Sequence, residues 1–145
     1  MLYFAYGSNL NQNQMQQRCP GATFMRTGIL RGYELVFDGF SEEWAGPVAN
    51  IVPSRDSYVV GGLYEISAED LEKLDDYEGY HKKPRDYERK KFIIETDHAK
   101  EEAVAYFRKS LKRGEPSNEY LRAIQQGRLD CGIINFEKLL LRHGA

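Results

Sequence analysis

Two short stretches carry residues that could do chemistry together. One is Tyr6-Gly7-Ser8-Asn9 near the start of the chain; the other is Leu74-Asp75-Asp76-Tyr77-Glu78-Gly79 in its middle. The chemistry in question is proton transfer by a carboxylate beside a cluster of backbone donors. At ~100° per residue on a helix running from Ser67, Glu78 falls between Leu71 and Leu74, inside the apolar stripe. Asp75 flanks that stripe and Asp76 points away from it. A glutamate facing a core is desolvated, and at a helix C-terminus the macrodipole also disfavours its charge. Both effects raise a carboxyl pKa, as a general base near neutral pH requires. Gly79 stands where a C′ residue ends a helix. If the helix instead frays by Tyr77, Glu78 is an ordinary surface residue, because one residue of slippage rotates the side chain by about 100°.

Tyr6-Gly7-Ser8-Asn9 follows the apolar run Leu2-Tyr3-Phe4-Ala5. Gly7 permits close approach, and Asn9 tolerates turn geometry and can cap. A turn of this kind can present several N–H groups together, a cradle for a carboxylate or a developing oxyanion. A plain strand-to-helix turn has the same composition, and both readings stand on these residues alone.

The elements that must hold these groups are short. Leu2 to Tyr6 reads as a buried first strand, with Asn9 or Asn11 capping a helix through Met15. Met25–Leu30, Glu34–Phe37, Ala49–Val52, Tyr58–Ile66, Tyr87–Thr96 and Glu102–Arg108 read as strands. The Gly61-Gly62 pair predicts a bulge or a close backbone approach. Ser67-Ala68-Glu69-Asp70 is a capping-box-like start. Ser117 predicts a helix to about Gln126, and Asn135 another through Phe136, Leu139 and Leu140 to His143. This balance predicts an α+β chain, residues 1–145 forming one domain around a mixed sheet or barrel.

Composition excludes several classes. The 145 residues carry a net charge of −2, with 41% hydrophobic and 29% charged side chains. That argues against nucleic acid as the main partner, since phosphate binding needs concentrated positive charge. The basic clusters at 82–85, 89–91 and 109–113 have acidic neighbours and read as solvated faces. No apolar run approaches the ~20 residues of a membrane span. No secretory signal is legible, and Cys19 and Cys131 form no metal or redox spacing, which fits a reducing cytoplasm. His81, His98 and His143 are scattered, so no metal site and no cofactor are expected. Ten tyrosines suit a polar pocket as well as a core edge.

Taken in order, the motifs resemble the γ-glutamylcyclotransferase family, with its AIG2-like, BtrG-like and γ-glutamylamine cyclotransferase-like members. They are Tyr3-Phe4-Ala5-Tyr6-Gly7-Ser8-Asn9-Leu10, then Leu74-Asp75-Asp76-Tyr77-Glu78-Gly79 with Tyr87 beyond it, then Pro116-Ser117-Asn118-Glu119-Tyr120 after Ala105-Tyr106-Phe107. The resemblance implies a small mixed β-barrel with peripheral helices and a pocket at one end. It carries the catalytic role onto Glu78 and substrate contact onto Tyr3, Phe4, Ala5, Tyr6, Gly7, Ser8 and Asn9, with Tyr120 closing the pocket. It implies a cofactor-independent enzyme that cyclises a γ-glutamyl amide to 5-oxoproline and releases the amine. Ser8 then contacts substrate and is no nucleophile, since no base is identifiable for it.

The segment Ala45-Gly46-Pro47-Val48-Ala49 departs from the Gly-Gly pair common in that family; Pro47 stiffens it and removes a donor. The leaving group therefore stays open between γ-glutamyl amino acids, γ-glutamyl-ε-lysine and a γ-glutamyl-protected intermediate. A non-catalytic binding protein of the same fold and a nucleic-acid-binding barrel are the readings from other classes. The expected partner is a small-molecule γ-glutamyl substrate, without nucleic acid or membrane.

Overall fold

A computed structural model describes residues 1–134. In order, the elements are β1 (Leu2–Ala5), a 3-10 turn (Ser8–Leu10), α1 (Gln12–Arg18), β2 (Thr23–Ser41), β3 (Gly46–Glu65), α2 (Ala68–Tyr77), β4 (Glu88–Glu95), β5 (Lys100–Phe107) and α3 (Asn118–Asp130). The strands close into a barrel in the order β1-β3-β2-β4-β5. The short β1 closes it, pairing antiparallel with β3 from Leu2↔Glu65 to Ala5↔Gly62 and parallel with β5 at Tyr3↔Val104. The α+β barrel expected from the sequence is the one observed.

Two pairs of expected strands are in fact single strands. Met25–Leu30 and Glu34–Phe37 merge into β2, and Ala49–Val52 and Tyr58–Ile66 merge into β3. Gly32 is the misleading signal in β2, and Pro53 with Asp56 in β3. Gly32 and Gly39 adopt φ of +83° and +66°, and each lies inside a register shift of the β2–β3 ladder. Such bulges bend a strand without ending it. Pro47 also falls within a register shift, between Asp38 and Ser41, where its missing N–H costs no regular ladder bond. The Gly61-Gly62 pair is a close approach: a Cβ on Gly61 would collide with the Ala5 carbonyl and the Phe4 ring.

The helices begin at or within two residues of the caps their sequences predict. Asn11, not Asn9, caps α1, accepting from the Gln14 N–H at 3.1 Å. Ser67 and Asp70 complete a reciprocal capping box on α2. Ser117 caps α3, which runs to Asp130, one turn past the expected end. The helix expected from Asn135 lies outside the described residues. Phe4, Leu10, Ile51, Leu63, Leu74 and Ile94 fill the barrel core with almost no exposure. No helix among the described residues is long and apolar enough to cross a membrane.

Candidate active site

One end of the barrel opens into a cavity of about 530 Å³. Three segments build its floor and walls: the turn after β1, the end of α2, and the start of α3.

Glu78 is the C-cap of α2, and its N–H donates to the Leu74 carbonyl at 2.8 Å. Gly79 follows at φ +65°, and a Cβ there would run into the Asp86 side chain. Glycine at this position thus lets the 79–86 loop fold back, with the Asp86 N–H on the Gly79 carbonyl at 3.0 Å. Glu78 is half-buried against the cavity wall. Burial pushes its carboxyl up from 4.5 to about 7, while the positive charges of Arg18 and Arg108 oppose that rise. Of the two sequence readings, the carboxylate facing inward is the one the structure adopts.

The end of α2 is pinned from the barrel side. Asp75 is 2% exposed; its Oδ1 accepts from Tyr106 Oη at 2.6 Å and from Arg89 Nε at 2.9 Å. A buried charge with two donors of this quality fixes the helix rotation that aims Glu78 at the cavity. The sequence placed Asp75 only at the flank of the apolar stripe; β4 and β5 supply the partners that bury it.

Opposite lies the turn after β1. Leu10 and Asn11 donate to the Gly7 and Ser8 carbonyls, closing the 3-10 turn. Among the described residues no group accepts from the Ser8 and Asn9 N–H. The first N–H groups of a helical turn have no partner within it. Gly7 is closely packed: a Cβ would stand 3.1 Å from Ala49 Cβ and 3.2 Å from Tyr120 Oη, so either neighbour would have to give by a few tenths of an ångström.

Tyrosines supply the remaining walls. Tyr120 Oη accepts the Ala49 N–H at 2.8 Å, and the Ala49 carbonyl accepts from Tyr87 Oη at 2.8 Å. These two phenols satisfy a stretch of β3 backbone that faces the cavity. Because Tyr120 is an acceptor there, its single proton is left to donate elsewhere. Tyr6 Oη is already committed as a donor to the Tyr106 carbonyl at 2.5 Å. Trp44 packs on Tyr120 with ring centroids 5.0 Å apart.

Behind the phenols, Arg108 donates through Nη2 and Nε to Asp38 Oδ1 at 2.7 and 3.2 Å. The Asn50 amide and the Leu111 N–H donate to Oδ2, both at 3.1 Å. Asp38 is fully buried, and this set of donors compensates its charge. The network ties the β2–β3 hairpin to the segment after β5, and the Arg108 guanidinium lies 4.3 Å from the centre of the Tyr87 ring.

Of the residues expected from the sequence, Tyr3, Tyr6, Gly7, Ser8, Asn9, Glu78 and Tyr120 all line the cavity. Phe4 and Ala5 do not: Phe4 is in the core and Ala5 packs in the β1–β3 pairing. Arg18, Trp44, Tyr106 and Arg108 line it and were missed. Ala105-Tyr106-Phe107 reads as a strand, and strand alternation alone does not say which face meets a cavity. Among the described residues, no three His, Cys, Asp or Glu side chains are grouped to hold a metal ion.

Tyr120→Phe tests this geometry directly. It removes the acceptor of a buried N–H, at a cost of ~1–3 kcal/mol, together with one donor facing the cavity. A lower melting temperature and a kcat/KM reduced by roughly tenfold are expected, read by thermal melts and steady-state kinetics.

A family model described as gamma-glutamyl cyclotransferase, AIG2-like, matches residues 3–129. The chain is 31% identical over 137 residues to a mouse gamma-glutamylcyclotransferase, covering 91% of this chain and 72% of that one. The human protein of the same name is 30% identical over 137 residues with the same coverage. A solved structure named gamma-glutamyl cyclotransferase superposes with a TM-score of 0.87 at 27% identity, over 97% of this chain and 85% of that one.

Proposed function

The chain belongs to the gamma-glutamyl cyclotransferase, AIG2-like family and is an enzyme of that type, and from this premise we propose how it works: Glu78 drives cyclisation of a γ-glutamyl amide to 5-oxoproline, with release of the amine or amino acid. The observation that carries the assignment is a half-buried carboxyl raised to about 7, facing a turn whose Ser8 and Asn9 N–H groups have no acceptor among the described residues.

The substrate brings its own nucleophile, the α-amine. That amine is an ammonium at neutral pH and must lose a proton to attack. An ordinary carboxylate is a poor match for this proton, whereas one raised to about 7 accepts it at smaller cost. The α-nitrogen then bonds to the side-chain amide carbon, closing a five-membered ring. The resulting oxyanion accepts from the Ser8 and Asn9 N–H, each good donor contributing about 3 kcal/mol. Glu78 returns its proton to the amide nitrogen, the oxyanion collapses and the C–N bond breaks. The ring nitrogen gives up its second proton to Glu78, which passes it to the departing amine, so the amine leaves as an ammonium and Glu78 is again ionised. No water is consumed. The cavity walls hold the flexible chain folded, which is catalysis by orientation.

The cavity is also bordered by Phe40, Glu43 and Trp44 of the β2–β3 hairpin end and by Lys82 and Asp86, which gives a leaving group room beyond the glutamyl part. γ-Glutamyl amino acids and γ-glutamylamines both fit this description. The partner in this reading is the small-molecule substrate alone, and the site is a cytoplasmic one, in keeping with two buried cysteines carried as free thiols.

The test is a product assay with γ-glutamyl amino acids, γ-glutamylamines and γ-glutamyl-ε-lysine, reading 5-oxoproline by mass spectrometry. Product from at least one of them is expected, and none from the whole panel overturns the reading. The pH dependence follows from Glu78. The ionised form is the base, so kcat/KM should fall tenfold per pH unit below about 7 and level off above it on the acid side. An acid limb centred near 4.5, the ordinary glutamate value, would remove Glu78 as the base.

A further inference from the structure

Arg18 has no part in the acid–base scheme, yet it touches three elements that shape the site. It is the last residue of α1, and its side chain is 11% exposed. Nη1 donates to Asn9 Oδ1 at 3.0 Å in the turn after β1. Nη2 lies 3.4 Å from Glu43 Oε1 on the hairpin turn, and the guanidinium stacks 4.5 Å from the centre of the Tyr77 ring at the end of α2.

The Asn9 side chain gives this contact a direction. Its Oδ1 accepts from both Arg18 Nη1 and Gln14 Nε2, each at 3.0 Å. An amide oxygen held by two donors leaves the NH2 group to face the other way. Asn9 Nδ2 accordingly donates to Tyr3 Oη at 2.9 Å. A phenol has one proton, so a tyrosine that accepts from Asn9 keeps that proton for a different partner. Tyr3 and Glu78 both line the cavity, and the Glu78 charge acts on the Tyr3 phenol.

We infer that Arg18 is a positioning residue of the cyclisation: through Asn9 it fixes Tyr3 as a hydrogen-bond donor into the cavity, and through Tyr77 it holds the end of α2 against the turn after β1. This rests on the acid–base role of Glu78. The charge balance around that carboxyl agrees. Arg18 from α1 and Arg108 from beyond β5 favour its ionised form, Arg18 more strongly, while Glu43 from the hairpin turn and Asp86 from the loop after α2 oppose it. The phenols of Tyr3, Tyr6, Tyr87, Tyr106 and Tyr120 also face it and are kept neutral.

The experiment compares Arg18→Met and Arg18→Lys, each alone and combined with Tyr3→Phe, by kcat and by the pH profile of kcat/KM. Arg18→Met should lower kcat roughly 10- to 100-fold, the loss of one charge-assisted hydrogen bond, and move the acid limb to higher pH. In the Tyr3→Phe background the same change should cost at least about threefold less than it does with Tyr3 present, because the pathway through Tyr3 is already gone and only the hold on α2 and the charge remain. Arg18→Lys should restore the acid limb but not the full rate, since a point charge lacks the guanidinium fork. Equal losses in both backgrounds, or an unmoved acid limb, overturn the inference; if Arg18→Met is too unstable, Arg18→Gln, which also removes the charge, carries the same comparison. A carbon-13 titration of the Glu78 carboxyl separates the two claims. A wild type that makes no 5-oxoproline overturns the acid–base reading, whereas an active wild type whose Glu78 titration is unmoved by Arg18→Met overturns the role of Arg18.

Discussion

Glu78→Gln should leave the barrel folded and reduce turnover by roughly 10²- to 10⁴-fold, the range for loss of a general base. Glutamine matches glutamate in size, but its amide cannot accept the α-amine proton or return it to the leaving nitrogen. Retention of more than a few per cent of activity, measured as 5-oxoproline formed per enzyme, would sink the assignment. The same variant should be more stable than the wild type above neutral pH. The folded carboxyl titrates at about 7 and the ordinary value is 4.5, so between these the folded state binds more protons than the unfolded one. Wild-type stability therefore falls as pH rises through that window. Above it the full penalty is present, at most on the order of 3 kcal/mol and reduced by water reaching the open side of the carboxyl. Glutamine carries no charge and escapes it. Calorimetry at pH 8 should show Glu78→Gln melting above the wild type, with the gap closing toward pH 4. An equal gap at both pH values would mean that ionisation of Glu78 is not the cause.

The second large effect reverses a rule of thumb. Gly127 lies inside α3, where alanine ordinarily adds up to ~1 kcal/mol of helix stability. Here a Cβ would run into the backbone of Leu10 and Asn11. Backbone cannot rotate away as a side-chain tip can, so α3 and the turn after β1 must separate. Gly127→Ala should therefore destabilise by about 1–3 kcal/mol, as overpacking does. Its larger consequence is for catalysis. The displaced segment adjoins the Ser8 and Asn9 N–H groups, and a 1 Å misplacement of positioned groups costs on the order of 10²-fold in rate. Melting temperature and kcat should both fall. A raised melting temperature with full activity would show that the contact relaxes without moving the turn.

Sequence and structure agree best where information is local. The Ser67–Asp70 box and Gly79 bracket α2, and helical phase puts Glu78 on the apolar side, with the Asp75 contacts to Tyr106 and Arg89 fixing that rotation. The run Tyr6 to Asn9 is legible as a turn because Gly7 and Asn9 each have a local reason to be there, while its role as a donor cradle is not decided by these residues alone. What escaped was long-range. Arg108 matters through Asp38, 70 residues away, and Tyr106 through Asp75, 31 away. No periodicity encodes such pairings. The sequence breaks β2 at Gly32 because glycine at positive φ reads as a turn in isolation, while in the ladder it is a bulge, and breaks β3 at Pro53–Ser57, where the strand in fact continues. Phe4 and Ala5 belong to a continuous motif, and the motif does not say which of its residues serve the core.

The way the barrel closes has a kinetic consequence. Tyr6 bonds to Tyr106 across 100 residues, and β1 needs both β3 and β5 in place. Long loops must be closed before such contacts repay their entropy, which slows folding. The β2–β3 hairpin, joined by a short turn, can assemble early and independently. The cavity can form only after the first strand docks. During refolding from denaturant, strand signals should therefore recover ahead of enzymatic activity, and the return of activity should mark the closure of the barrel.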